Sequence, residues 1–122
     1  MSTKPKTITI DDVEYVRKSD ASVPGPDTIE GYAVVRCDRS GVFAGTVVSR
    51  DGREAVMANV RCLWYWDGAA ALPQLAVDGV SKPENCKFTV RLPHLELTDV
   101  ISVMPCTKKA FNSIEGVKEW KK

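Results

Sequence analysis

Apolar and polar residues alternate along most of this chain, with a period of two that suits half-buried strands. Ile8 and Ile10, then Val13 and Tyr15, alternate on either side of Asp11-Asp12, which predicts an amino-terminal hairpin or arm over residues 1–17. Residues 18–31, KSDASVPGPDTIEG, carry Pro24-Gly25-Pro26 and few large apolar groups, so a linker or loop is expected there. From Tyr32 the β-branched run YAVVRCD opens a compact β-rich domain over residues 32–122. A break at Arg39-Ser40-Gly41 separates it from VFAGTVVS, its expected antiparallel neighbour. Arg50-Asp51-Gly52-Arg53 follows, and its Asp-Gly centre suits the positive φ angles of a type I′ hairpin loop.

Beyond that hairpin, Val56, Ala58, Val60, Cys62, Trp64 and Trp66 share one parity, an unbroken apolar face if the segment stays extended; a turn near Asn59 is the alternative. Pro73 stands where a helix tolerates a missing N–H, which predicts a short helix near residues 70–78, ended by Gly79. Lys87 to Leu92 reads as a strand interrupted by Pro93. Leu95, Leu97, Ile101 and Val103 read as one longer strand stopped by Pro105. Thr107 is placed to cap a second helix near residues 107–115, with Ala110, Phe111 and Ile114 on one face. The expected fold class is α+β: a mainly antiparallel sheet of about five to seven strands with two short helices.

Charge changes this picture little. The chain has 17 Lys and Arg against 16 Asp and Glu, a net charge of +1, far from the basic excess of a protein that coats phosphate backbones. No long nucleic acid is expected as a partner. No apolar run approaches the ~20 residues needed to cross a bilayer, and Met1 to Lys6 leads into no signal-type stretch, so a cytosolic protein with no membrane partner is expected. Cys37, Cys62, Cys86 and Cys106 stand singly, with no C-x-x-C clamp. Reduced thiols acting as small apolar side chains are the expectation, ahead of disulfides or a Cys-based metal site.

Candidate chemistry is sparse. The one histidine, His94, lies in Leu92-Pro93-His94-Leu95 with no second histidine at metal-ligand spacing, and a solvent-facing turn histidine is expected. No nucleophile elbow, phosphate loop or dinucleotide glycine turn is present. The expectation is therefore a protein without catalysis, cofactor or metal, although carboxylates such as Asp67 or Glu84 acting with a bound metal are the enzymatic alternative. Arg36 and Arg61 are embedded in apolar strands, so each either faces water beside the sheet or meets an anion, and a buried one must be paired. Leu63-Trp64-Tyr65-Trp66 places three rings in a row, of which one face must leave the core for a pocket or an interface.

At this motif the chain resembles a family of small bacteriophage and prophage proteins of unknown function. The resemblance is carried by L-W-Y-W-x-G-A-x-x-L-x-Q-L-A, matched by Leu63, Trp64, Tyr65, Trp66, Gly68, Ala69, Leu72, Gln74, Leu75 and Ala76. It extends to Asp11, Val13, Glu14, Tyr15 and Val16 near the start, and to a carboxy-terminal helix closing in Trp120. Ala71 and Pro73 depart from it, standing where a polar residue and a serine are usual. The resemblance implies a phage accessory protein that works by binding in the cytoplasm of the bacterial host. By analogy of kind, not of sequence, it implies a counter-defence sponge: a homo-oligomer sequestering a small anionic, nucleotide-like ligand. The expected ligand-binding residues are Arg36, Arg61, Trp64, Tyr65, Trp66 and Gln74. The competing expectations are a module that binds a host or phage protein, and a minor virion component.

Overall fold

The computed structural model describes residues 28–121; the hairpin or arm expected over residues 1–17, and most of the linker, lie outside the described residues. Strands β1 (Thr28–Cys37), β2 (Val42–Asp51) and β3 (Glu54–Tyr65) form an antiparallel meander. Helix α1 (Leu72–Asp78), the short strands β4 (Lys87–Phe88) and β5 (Leu92–Leu97), strand β6 (Val100–Thr107) and helix α2 (Lys108–Glu115) follow. The result is a six-stranded antiparallel sheet in the order β4-β3-β2-β1-β6, with β5 sharing the outer edge of β3 with β4. With two helices against it, this is the expected α+β fold. β1 starts at Thr28, inside the segment expected to be loop.

Both helix predictions match within a few residues, and their ends show why. Thr107 Oγ1 accepts from the Ala110 N–H at 3.0 Å, capping α2. Ala71 cannot cap α1 with its side chain, and Gln74 Oε1 instead accepts from the Ala70 N–H, one residue before the N-cap, at 2.7 Å. The β2–β3 hairpin is also present, but its outermost pair is Asp51 with Glu54, so Gly52 and Arg53 form the loop. Gly52 carries the positive φ, 59°, and Arg53 does not, the glycine-first arrangement of type II′.

Three further readings are corrected. The unbroken parity from Val56 to Trp66 fails at Asn59, whose φ of 50° makes a bulge opposite Gly45. A Cβ on Gly45 would sit 2.8 Å from the Val60 Cα, so only glycine admits this close crossing. Beyond the bulge the faces exchange: Ala55, Met57 and Val60 look one way, Arg61 and Leu63 the other. Next, Leu95 to Val103 is two strands, because Thr98-Asp99 turns a corner between β5 and β6. Finally, Pro105 lies within β6, an edge strand, where a missing N–H is tolerated.

That corner dictates the shape of the sheet. β5 and β6 lie at opposite edges, four strand spacings or roughly 19 Å apart if the sheet were flat. Three Cα steps from Leu97 to Val100 reach about 11 Å at most. The sheet therefore curls until its edges meet at this end, where Val100 N–H donates to the Arg53 carbonyl at 3.0 Å and Asp38 N–H to the Asp99 carbonyl at 2.8 Å. Asp99 fastens the corner further, its carboxylate accepting from Arg39 N–H at 2.8 Å, Ser40 N–H at 2.9 Å and Ser40 Oγ at 2.8 Å. The concave face closes on itself around Val35, Met57, Val60 and Val100, with no helix residue in the cluster. The convex face packs Val34, Leu63 and Phe88 under Leu75, Ala110 and Ile114 of the helices. The cysteines are unbridged, three of them buried and Cys62 half-buried.

Candidate binding surface

Arg61 follows the bulge, and the exchange of faces carries it into the interior, where it is 0% exposed. Its Nε donates to the Thr89 carbonyl at 3.1 Å and one terminal nitrogen to Phe88 at 3.2 Å; the other reaches Ile114 at 2.8 Å and Val117 at 2.9 Å. The guanidinium thus satisfies carbonyls at and just beyond the end of α2 and ties them to the strand edge. Burial lowers its pKa, with Arg91 adding to the effect and Glu115 opposing it. Arg61 is corrected from a ligand contact to an internal brace, because no face of it reaches solvent. Around it, Tyr32 Oη donates to Glu115 Oε2 at 2.6 Å, and Arg91 pairs with Glu115 at 2.9 Å and Glu119 at 3.1 Å.

The three consecutive rings separate. Trp66 is half-buried and packs against the convex-face core, as do Ala69 and Leu72. Trp64 and Tyr65 stay outside, 67% and 51% exposed. The turn after them is held rigidly: Asn85 Nδ2 donates to Asp67 Oδ2 at 2.9 Å, and Asp67 N–H points at Cys86 Sγ at 3.4 Å. Arg36 is exposed and its side chain makes no hydrogen bond or ion pair among the described residues; it stands on the far side of β2, opposite Val42 in the ladder. Gln74, also exposed, is engaged at the start of α1. Of the six expected residues, Trp64 and Tyr65 are exposed neighbours at the end of β3, and neither lines the depression at Cys62 or the hollow at Lys109.

Topology adds neighbours that no motif announced. Tyr65 stands opposite Lys87 in the β3–β4 ladder, so the two side chains emerge side by side. The segment after α2 runs along β4, with Glu119 bridged to Phe88 and Trp120 N–H donating to the Phe88 carbonyl at 2.8 Å. Trp120 is thus corrected from the end of a helix to an extended segment, since α2 stops at Glu115. The Lys87 ammonium lies 5.5 Å from the Trp120 ring centroid, a cation–π contact. On the other side of β3, Cys62 lies in a shallow apolar depression of about 140 Å³ with Phe43, Val90, Leu92 and Leu95. Val90 and Leu92 at this depression are 43% and 45% exposed.

This depression is small beside the roughly 300–1,000 Å³ of sites that engulf a small molecule, and fits one side chain. A larger open hollow of about 500 Å³ lies between Val77, Thr107, Lys108 and Lys109, but none of the six expected residues lines it, and Lys109 pairs there with Asp78 at 3.5 Å. His94, expected in a turn, lies exposed within β5 with Nε2 2.9 Å from Glu96. Among the described residues no three His, Cys, Asp or Glu side chains converge as metal ligands, and no helix is long and apolar enough to cross a membrane.

The curled sheet with two helices on its convex face defines the class as a small α+β domain. The chain matches the family described as a domain of unknown function (DUF6948) over residues 30–114, and belongs to it. Neither a curated protein nor a solved structure matches the chain.

Proposed function

We propose that this chain is a non-catalytic module that binds a host or phage protein, a phage or prophage accessory factor working in the bacterial cytoplasm. One observation carries the reading: Trp64 and Tyr65, two of the largest side chains, stand 67% and 51% exposed at the end of β3, the strand whose Cys62 lies in the apolar depression with Val90 and Leu92. Large exposed rings bordering apolar surface are what interfaces bury at their centres, with a flat patch of about 800 Å² per partner as the usual scale. Sequestration of a nucleotide-like anion by a homo-oligomer has less support. Arg61 already donates to four carbonyls, and Arg36 stands on β1, two strands away from the one that carries the rings.

Affinity capture with the full chain, from phage-infected bacteria, tests the reading. A partner held at a defined stoichiometry is expected with the natural sequence, and Trp64→Ala with Tyr65→Ala together should weaken it by about thirtyfold or more, equivalent to roughly 2 kcal/mol at a hot spot. A partner retained equally by the double variant would overturn the surface. Recovery of the chain only in purified particles would favour a virion component instead.

A further inference from the structure

Resting on the protein-binding reading above, we infer that the surface around Tyr65 recognises an acidic protein segment, with Lys87 as the residue that meets its carboxylates. Tyr65 and Lys87 are ladder partners, and the Lys87 ammonium lies 5.5 Å from the Trp120 ring centroid. The side chains of β3, β4 and the segment after α2 therefore form a row of ring, ammonium and ring. The cation–π contact holds the ammonium near one place without neutralising it, since a ring offers no negative charge to cancel. A long flexible lysine usually loses its rotamer freedom on binding; here much of that ordering has already occurred.

The surrounding charges point the same way. Lys118 and Lys121 flank Trp120 in sequence and are exposed, and no ion pair to Lys87, Lys118 or Lys121 forms among the described residues. Two nearby acids are engaged, Glu119 with Arg91 at 3.1 Å and Asp67 with Asn85 at 2.9 Å, while Glu84, three positions before Lys87, is exposed and forms no ion pair with it among the described residues. An unpaired ammonium between exposed rings, with two more exposed lysines close to Trp120 in sequence, complements carboxylates accompanied by apolar side chains. Nucleic acid suits it less well. Tracking a phosphate backbone takes a continuous basic groove with successive stacking rings, and this chain carries a net charge of only +1 with no such groove beside Tyr65.

The test uses the full chain and three dye-labelled probes: a twelve-residue peptide of glutamates around a central phenylalanine, its lysine counterpart, and a twelve-nucleotide oligothymidylate. The glutamate peptide should bind most tightly, shifting the amide resonances of Tyr65 and Lys87 and the Trp120 indole. Lys87→Glu should weaken it about tenfold or more and Lys87→Gln less, while the charge-matched Lys108→Glu on α2 should stay within about twofold. Equal losses from Lys87→Glu and Lys108→Glu, equal binding of the lysine peptide, or tighter binding of the oligothymidylate would each overturn the inference. The two readings fail separately. A captured partner lost with Trp64→Ala and Tyr65→Ala but untouched by Lys87→Glu would keep the binding module and remove its preference for acid.

Discussion

The Tyr32 hydroxyl donates to Glu115 Oε2 at 2.6 Å, joining the middle of the sheet to the last residue of α2 across 83 positions of chain. The Tyr32 side chain is buried and packs edge-on against Phe111, ring centroids 4.7 Å apart. Burial first, and the Glu115 carboxylate second, push its ionisation far above the usual tyrosine range, so the hydroxyl remains a donor at every physiological pH. Tyr32→Phe keeps the ring and removes one hydrogen bond to a charged acceptor. The expected cost is about 1.5–3 kcal/mol, read as a lower urea midpoint with an unchanged slope.

Arg61 should matter more. Lysine has the charge but not the fork, and cannot serve carbonyls of Phe88, Thr89, Ile114 and Val117 together. The Phe88 and Ile114 carbonyls keep the Trp120 and Val117 N–H donors, but the Thr89 and Val117 carbonyls lose the fork that serves them together, so Arg61→Lys should cost about 3 kcal/mol. For a domain of this size that lowers the melting temperature by roughly 12–24 °C. A variant melting within a few degrees of the natural chain would show that the brace is dispensable.

Asp99 gives the fold an acid limit. Hydrogen bonds from Arg39 N–H, then from the Ser40 hydroxyl and N–H, lower its pKa from 3.8 to about 2. The carboxylate therefore contributes stability that is present above the unfolded value and lost as pH falls through about 2. Unfolding followed from pH 5 down to pH 2 should show stability falling in that window. Asp99→Asn should be less stable at pH 5 and show a shallower fall, with the difference between the two chains shrinking as pH drops.

What the sequence made legible is local. Alternation gave β1 to β3, and Thr107 gave the start of α2, because strand parity and caps depend on residues close in the chain. The bulge at Asn59 was hidden, since it depends on Gly45 admitting Val60 from the neighbouring strand. With the bulge went the face on which Arg61 stands, so a buried brace read as a ligand contact. The β5–β6 corner was hidden too, because Leu95 to Val103 keeps its apolar alternation across Asp99.

The site divides in the same way. Trp64 and Tyr65 were visible as a run of rings that one face cannot bury. Lys87 and Trp120, 33 positions apart in sequence, become neighbours only when the segment after α2 is laid along β4. Their one signal in the chain was the exposed chemistry of Lys118, Trp120 and Lys121 beyond a helix that has already ended.

The central claim is that the end of β3 is a protein-contact surface. Its most direct measurement places a photo-crosslinking phenylalanine derivative at position 65 of the full chain in phage-infected bacteria, and the same group at position 48, since Val48 is 62% exposed on another strand. The account predicts a covalent adduct of one defined mass from position 65, absent from position 48. No adduct at position 65, adducts of the same mass from both positions, or an adduct only with a second copy of this chain would contradict it.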